Sequence, residues 1–483
     1  MNEATFSLAQ ILPAMPEIYL TGAICALLMF DVFFGLRQPG RTASAALVLL
    51  VVGALVTAQV GQGPRTVIFD GLYVADQASY LLKLASYLFM AVALFYSGEY
   101  LARRRIQKGE FYVLAMTALL GIQVMGSAAN LLTIYIGVEL LSLSLYALVA
   151  FDRDDGLAAE AAMKYFVLGA IASGMLLYGM SLIYGLTGSL QLEQIAASVQ
   201  GGEPALGLLL GIAFVVVAVA FKFGAVPFHM WVPDVYQGAP TAVTMLVATV
   251  PKLASFALAF RLLAEGLAPV TDAWVQMLGV VAVLSLVLGN VVAIAQTNLR
   301  RMLGYSAIAN VGFVLLGFVS GTAAGYQAAL YYTLVYVLVV LGAFGVILLG
   351  SQKGFEADEL EHYKGLSRRD PMLAVVMAVI MFSTAGIPPF VGFWPKLRVI
   401  EALLGPGYVW LAGVAVLMSV VGAFYYLRVV WLMYFEKAPE GLPAPVLRLP
   451  LRVVVAVNAL AALVFGLMPD AVMRLGQGVV PFH

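Results

Sequence analysis

The chain has 483 residues, 63% of them hydrophobic and 11% charged, and its lysines and arginines equal its aspartates and glutamates in number. So apolar a chain lacks the polar surface to close over itself as a water-soluble globule, and reads as an all-α polytopic membrane protein. Its one cysteine, Cys25, excludes an internal disulfide, a cysteine-held iron–sulfur cluster and a zinc ribbon, and scattered His229, His362 and His483 with no phosphate-binding glycine motif argue against a self-contained haem, metal or nucleotide site.

About twenty helical residues cross a bilayer, and at that length about 14 transmembrane helices are predicted. The first segment, 18–35, begins after Pro13, Pro16 and Glu17 and lacks the basic leader and cleavage site of a signal peptide. Segments 42–59 and 77–98 follow. Next come 111–127 and 131–151, a hairpin joined only by 128–130. After 164–186, the seventh segment, 205–225, breaks at Pro227, and the eighth is 242–263. Segments 274–294, 302–319 and 326–349 hold no charge. The twelfth starts at Met372, breaks over Gly386, Ile387, Pro388 and Pro389, and restarts through Lys396 to Leu404; 408–434 and 452–468 complete the set. The longest polar loop is 351–370, so 1–483 forms a single transmembrane domain.

The basic residues set an orientation. Loops after odd-numbered segments hold Arg37, Arg41, Arg103, Arg104, Arg105, Lys108, Arg153, Arg300, Arg301, Lys353 and others, whereas the opposite loops and tail hold Arg65 and Arg474. The positive-inside rule therefore predicts both termini outside the cytoplasm. On this topology Arg103, Arg104 and Arg105 are an orientation signal, and no nucleic-acid partner is expected.

The charges left inside the bilayer carry the functional reading. A charged side chain at the centre of a spanning helix costs about 2.5–3.5 kcal/mol on insertion scales, so such residues usually mark ion pathways. Lys222 ends an unbroken apolar half-helix, Glu139 lies mid-way along the fifth segment, and Lys252 follows Pro251, which removes a helical hydrogen bond beside it. Lys396 follows the second proline break and Pro395. Broken backbone at membrane depth must be buried in protein or line a watery cavity, so the two breaks predict a hydrated interior path. A desolvated ammonium gives up its proton far more readily than a guanidinium, which suits lysine and not arginine to proton transfer.

Plain structural readings stand beside these. Glu139 and Lys222 fit an ion pair that fixes two helices as well as a titrating pair. Lys164, following Glu160, fits either snorkelling to the headgroups or a channel role. His229 fits either a proton relay or a hydrogen-bonded hinge. Asp234 is expected to cap the helical piece after the break or to orient the loop, Ala170 and Gly174 with Gly342 and Gly345 to allow close helix packing, and Trp231, Trp410 and Tyr408 to anchor at the interface.

The runs KFGAVPFHMWVPDVYQGAPTAVT, followed by PKL, and GIPPFVGFWPKL resemble the antiporter-like membrane subunits of respiratory complex I, the bacterial NADH-quinone oxidoreductase, and the likeness extends over essentially the whole chain. The resemblance implies two five-helix repeats, 111–263 and 274–435, flanked by 18–98 and 452–468, with discontinuous helices 7 and 12. Five being odd, the repeats are inverted. It implies a proton path through Glu139, Lys222, Lys252 and Lys396, with Lys164 and His229 as possible relays, driven by redox chemistry elsewhere. It also implies no cofactor in this chain, with NADH, FMN, iron–sulfur clusters and quinone in other subunits; sister antiporter-like subunits and lipid as partners; and the bacterial inner membrane, with periplasmic termini, as the location. A subunit of a multi-subunit sodium/proton antiporter would use the same lysines and is the alternative.

Overall fold

The helices begin where the sequence can satisfy free amides. Asp76, Asn130, Asp155, Asn298, Thr322 and Asp370 each accept a hydrogen bond from a first-turn N–H, and Pro39, Pro251 and Pro371 fill first-turn positions where no donor is needed. The computed structural model describes residues 11–35, 38–61, 63–201, 204–443, 448–476 and 479; Arg37 and His483 lie outside them. Helix α1 is Met15–Phe30, extended by a π-helical turn, and α2 is Pro39–Val60. A short antiparallel hairpin follows, β1 Thr66–Ile68 against β2 Tyr73–Ala75, with Val67 opposite Val74. Then come α3 Gln77–Arg104, α4 Gly109–Gly126, α5 Leu131–Val149 and α6 Gly156–Thr187.

The seventh span is split into α7 Leu206–Phe223 and α8 Trp231–Gly238, and the eighth into α9 Thr241–Ala248 and α10 Pro251–Ala259, which runs on as a π-helical turn through Gly266. Helices α11 Thr271–Ile294, α12 Leu299–Val319 and α13 Ala323–Gly350 are continuous. The twelfth span is α14 Pro371–Ala385 and α15 Phe393–Leu404, followed by α16 Val409–Phe435 and α17 Leu449–Leu467. Among the described residues 13 helices are long and apolar enough to cross a membrane, and Pro371–Ala385 is a shorter apolar helix. The spans are all helical, as expected, with the hairpin between the second and third, and the eighth span is broken outright at Thr249 and Val250 rather than merely loosened at Pro251.

The enclosed centre of the fold is α9 with α10, α12 and α13, while α1, α2, α16 and α17 leave most of their apolar surface uncovered. Close helix approaches are also made by glycines other than those expected. A Cβ on Gly121 would meet the Leu141 backbone N at 2.6 Å, and one on Gly137 would meet Met125, so α4 and α5 touch backbone to backbone. Gly289 and Gly312 do the same for α11 and α12. Gly342 and Gly345 do pack tightly, against Asn458 with Ile380 and against Val455 with Tyr96, but Gly174 faces open space.

Charged clusters tie the outer helices to this centre. Lys83, fully buried in α3, pairs with Glu17 at 2.8 Å and donates to the Tyr73 hydroxyl at 2.8 Å. Arg261 donates to both Asp76 oxygens, to Glu265 and to the Gly126 carbonyl, each within 3.1 Å. Burial acts to raise the Asp76 carboxyl, but the Arg261 guanidinium overcomes it and holds that group below the ordinary carboxylate range.

Candidate functional site

A helix that stops leaves its last four carbonyls without intrahelical donors, and inside a membrane they need partners. At the end of α7 the Gly224 amide meets Phe221 O at 2.9 Å, and further groups reach all four. The Ala225 amide takes Ala220 O at 2.8 Å, the Trp231 indole takes Phe221 O at 3.2 Å, Ser255 Oγ takes Lys222 O at 2.9 Å, and Lys252 Nζ takes Phe223 O at 2.7 Å. Gly224, at φ +78°, lets the chain turn out of the helix, a conformation costly for a residue with a Cβ.

The end of α14 is built alike. Gly386 turns out at φ +84°, and its amide and that of Ile387 meet the Phe382 and Ser383 carbonyls at 3.0–3.2 Å. Lys396 Nζ alone takes the last two, Thr384 O at 3.0 Å and Ala385 O at 2.9 Å. The Val226–Pro227 and Pro388–Pro389 peptides are both cis. The two breaks also share residues in register: Gly224, Pro227, Phe228, Trp231 and Pro233 in the first have the spacing of Gly386, Pro389, Phe390, Phe393 and Pro395 in the second. In that register Asp234 stands where the second break has Lys396, and Lys222 where it has Thr384.

The ammonium groups of Lys252 and Lys396 therefore rest on carbonyl dipoles at the negative end of a half-helix, with no carboxylate in ion-pair contact among the described residues. Each also lies over an aromatic face, Lys252 at 5.9 Å from the Trp231 ring and Lys396 at 5.4 Å from that of Phe313. A Cβ on Gly386 would come within 2.9 Å of Lys396 Cδ, so the glycine also clears the lane in which that side chain lies.

Lys222 does not touch Glu139. Its ammonium donates to Ser142 Oγ at 2.5 Å, one helical turn beyond Glu139 on α5, and Glu139 Oε1 is buried with no partner among the described residues. Ser142 in turn donates to the Val138 carbonyl and not to Glu139. Lys222 and Lys252 are brought together, because Lys252 bonds the carbonyl of the residue next to Lys222 and Ser255 bonds that of Lys222 itself. Lys396 stands apart, on the other side of α13, which packs against both α10 and α15.

The remaining predicted residues lie elsewhere. Lys164 pairs with Glu160 and with Asp234 at 2.8 Å each, and Asp234 also meets Arg301 at 2.8 Å, so a half-exposed network joins α6, α8 and α12. Asp234 serves that network and makes no cap. His229 lies in the first break with its Nδ1 buried and unpartnered among the described residues. Trp231, expected at an interface, is buried and stacks on Tyr165 at 4.5 Å, because the restarting helix carries it inward; Trp410 is exposed.

Sequence reasoning missed Ser142 and Ser255, whose signal was present in their helical spacing from Glu139 and Lys252. It also missed Asn310, which with Lys396 lines two cavities of about 10 and 20 Å³, close to the volume one water needs. Asn310 accepts from Tyr332 at 2.7 Å and donates to Tyr426 at 3.2 Å. Among the described residues no cluster of three or more histidine, cysteine or acidic side chains could hold a metal ion.

Residues 128–422 match the family model described as NADH:quinone oxidoreductase/Mrp antiporter, TM. The chain is similar to NADH-quinone oxidoreductase subunit N of Thioalkalivibrio sulfidiphilus, 49% identical over 478 residues and 99% of both chains. It is similar to that of Thiobacillus denitrificans, 51% identical over 471 residues and 97% of both. Among solved structures, a chain of respiratory complex I from Thermus thermophilus superposes with a TM-score of 0.83 at 32% identity, over 96% of this chain and 100% of that one. A chain of the Mrp complex from Dietzia sp. superposes with a TM-score of 0.85 over 98% of this chain and 97% of that one; at 22% identity the likeness is one of fold alone.

Proposed function

Because this chain belongs to the antiporter-like subunit N family of bacterial NADH-quinone oxidoreductases, the multi-pass membrane subunits that pump protons in respiratory complex I, we propose that its protons pass along Glu139, Lys222, Lys252 and Lys396. The observation that carries this reading is the seating of Lys252 and Lys396 on the open carbonyls of two broken half-helices. A cation held by dipoles, with no full counter-charge fixed on it, can be neutralised without stranding a buried anion. The water-sized cavities beside Lys396 supply room for the proton to move on.

Transfer starts at Glu139 and Lys222, which make no direct ion pair but lie within electrostatic reach. Two unit charges about 6 Å apart at an effective dielectric of about 20 interact by about 3 kcal/mol, enough for a change at one to drive a proton from the other. The proton then passes to Lys252 and across α13 to Lys396. Lys164 and His229 are relays on the cytoplasmic side of the first break. NADH, FMN, iron–sulfur clusters and quinone belong to other subunits of the complex, sister antiporter-like subunits are neighbours, and both termini face the periplasm.

We also read 111–263 and 274–435 as inverted five-helix repeats. Support comes from the shared spacing at the two breaks and from a matching pair of isolated strand bridges, Asn130 with Gln191 and Asn298 with Glu359.

The test is Lys222→Ala in native-host membranes, with NADH-driven quinone reduction and proton translocation recorded together and assembly checked. An assembled complex in which both fall supports the reading; both unchanged would overturn it. Proton movement that needs Na⁺ or K⁺ and not NADH would point instead to a cation/proton antiporter subunit.

A further inference from the structure

One cavity lies away from both breaks. It holds about 800 Å³ and lies among the connections around Arg65, Gln191, Pro269 and Gly321, the side opposite the arginine-rich loops. Part of its wall is the π-helical turn that ends the eighth span, through Phe260, Ala264 and Glu265. Lys252 is on that same span, roughly 20 Å from Glu265 at 1.5 Å per residue.

Four aromatic rings occupy the interval. Phe256 comes one turn after Lys252 and stacks on Phe260 with centroids 5.8 Å apart and planes at 11°. Phe318 packs on Phe256 at 5.5 Å and on Tyr326 at 5.5 Å, and Tyr326 closes on Phe260 at 6.3 Å. Phe256, Phe260 and Phe318 are at most 2% exposed, while Phe260 and Tyr326 also line the cavity. Water therefore reaches one face of the cluster, and the lysine lies one turn behind the other.

Aromatic clusters are common core packing. Two further facts distinguish this one: it is the dry interval between a buried ammonium and a wet cavity, and the cavity presents a carboxylate, Glu265, at the near end of the same helix. π-Helical turns recur at functional sites, and apolar constrictions gate pores by excluding water.

We infer that Lys252 has its own outlet to the outer face, closed in this conformation by Phe256, Phe260, Phe318 and Tyr326, with Glu265 as the group that receives the proton in the cavity. The inference rests on the reading of Lys252 as a proton carrier. When the rings part and water enters, the Lys252 ammonium gives up one proton and becomes a neutral amine. The proton crosses on water and protonates Glu265, which then releases it; no other bond changes. Arg261, bonded to Asp76 as well as to Glu265, holds that carboxylate in place.

The experiment uses the whole complex in sealed vesicles, with an imposed pH gradient that decays without any NADH. Phe260→Ala should make the gradient collapse several-fold faster while NADH oxidation stays within about two-fold of the parent. Adding Lys252→Ala, or Glu265→Gln, should slow the collapse again. Phe256→Leu and Phe318→Leu serve if Phe260→Ala fails to assemble. Assembled variants that hold the gradient as the parent does would overturn the outlet, as would a leak that Lys252→Ala leaves untouched. Failure of the underlying reading shows separately, as unaltered NADH-driven pumping in Lys252→Ala alone.

Discussion

The two broken helices use the same backbone to hold their lysines in different ways. At the first, five donors share the last four carbonyls, the amides of Gly224 and Ala225, the Trp231 indole, Ser255 and Lys252, and the ammonium arrives from the neighbouring span as Lys252. At the second, Lys396 comes from the restarting half-helix itself and takes two carbonyls at once. The cation seat is therefore a property of the break, of the glycine turn and the stranded carbonyls, and the lysine that fills it can be supplied from either side. Asp234, standing at the place of Lys396 in the first break, is free to face outward to Lys164 and Arg301 because that seat is already taken.

Removing the cations tests the equivalence most severely. Lys252→Met and Lys396→Met should each cut proton translocation at least ten-fold in an assembled complex, measured as NADH-driven acidification of vesicles. If only one does, the two seats do not serve one path.

The same pair of variants separates the breaks in stability. Both lose a buried ammonium, but Lys396→Met strands two carbonyls and Lys252→Met one, at about 1–3 kcal/mol for each unmet group. Amide exchange should rise more at 382–386 than at 220–224; equal rises would mean that other donors replace Lys396.

A smaller effect is expected from the turns. Gly386→Ala places a Cβ at positive φ and against the Lys396 side chain, and should lower pumping several-fold, at about 1–2 kcal/mol of backbone strain. Gly224→Ala meets Val232 at 2.5 Å instead and should impair assembly before it impairs proton transfer, which quantifying the complex in membranes would reveal.

Least is expected from Asp234→Asn. Its partners are partly exposed, such pairs contribute about 0–1 kcal/mol, and NADH oxidation should stay within about two-fold. A large loss would show that the network around Asp234 carries protons and does more than join helices.

Segment lengths and proline breaks made the helical architecture legible, because the bilayer demands long apolar runs and forbids unsatisfied backbone. What occupied the breaks was less so. Hydropathy finds where a helix stops and says nothing of which donors meet its last carbonyls. Glu139 and Lys222 read as direct partners because nothing in their spacing reveals that the Lys222 ammonium bonds Ser142 instead. Trp231 read as interfacial because aromatic belts are common, whereas the restarting half-helix turns it inward onto Tyr165. The internal likeness of the breaks lay in plain view and became visible only once both turns were superposed in register. Lys83 and Arg261 were overlooked because each sits in a run apolar enough to span regardless, and their partners, Glu17 and Asp76, are far away in sequence.

The span from Thr241 to Gly266 is almost wholly enclosed by other helices, yet carries both Lys252 and Arg261. During synthesis it must leave the ribosome and meet lipid before Glu356, which accepts from Thr241, and the helices after it exist. Its two cations cost up to roughly 5–7 kcal/mol at that moment, against apolar neighbours worth about 0.3–0.6 kcal/mol each. The Asp76 and Gly126 groups that hold Arg261 are made earlier, so the first half can receive this helix as it emerges. Biogenesis thus has a direction built into it: the helix with Lys252 is docked by its Arg261 end before the later helices that will bury it have been translated.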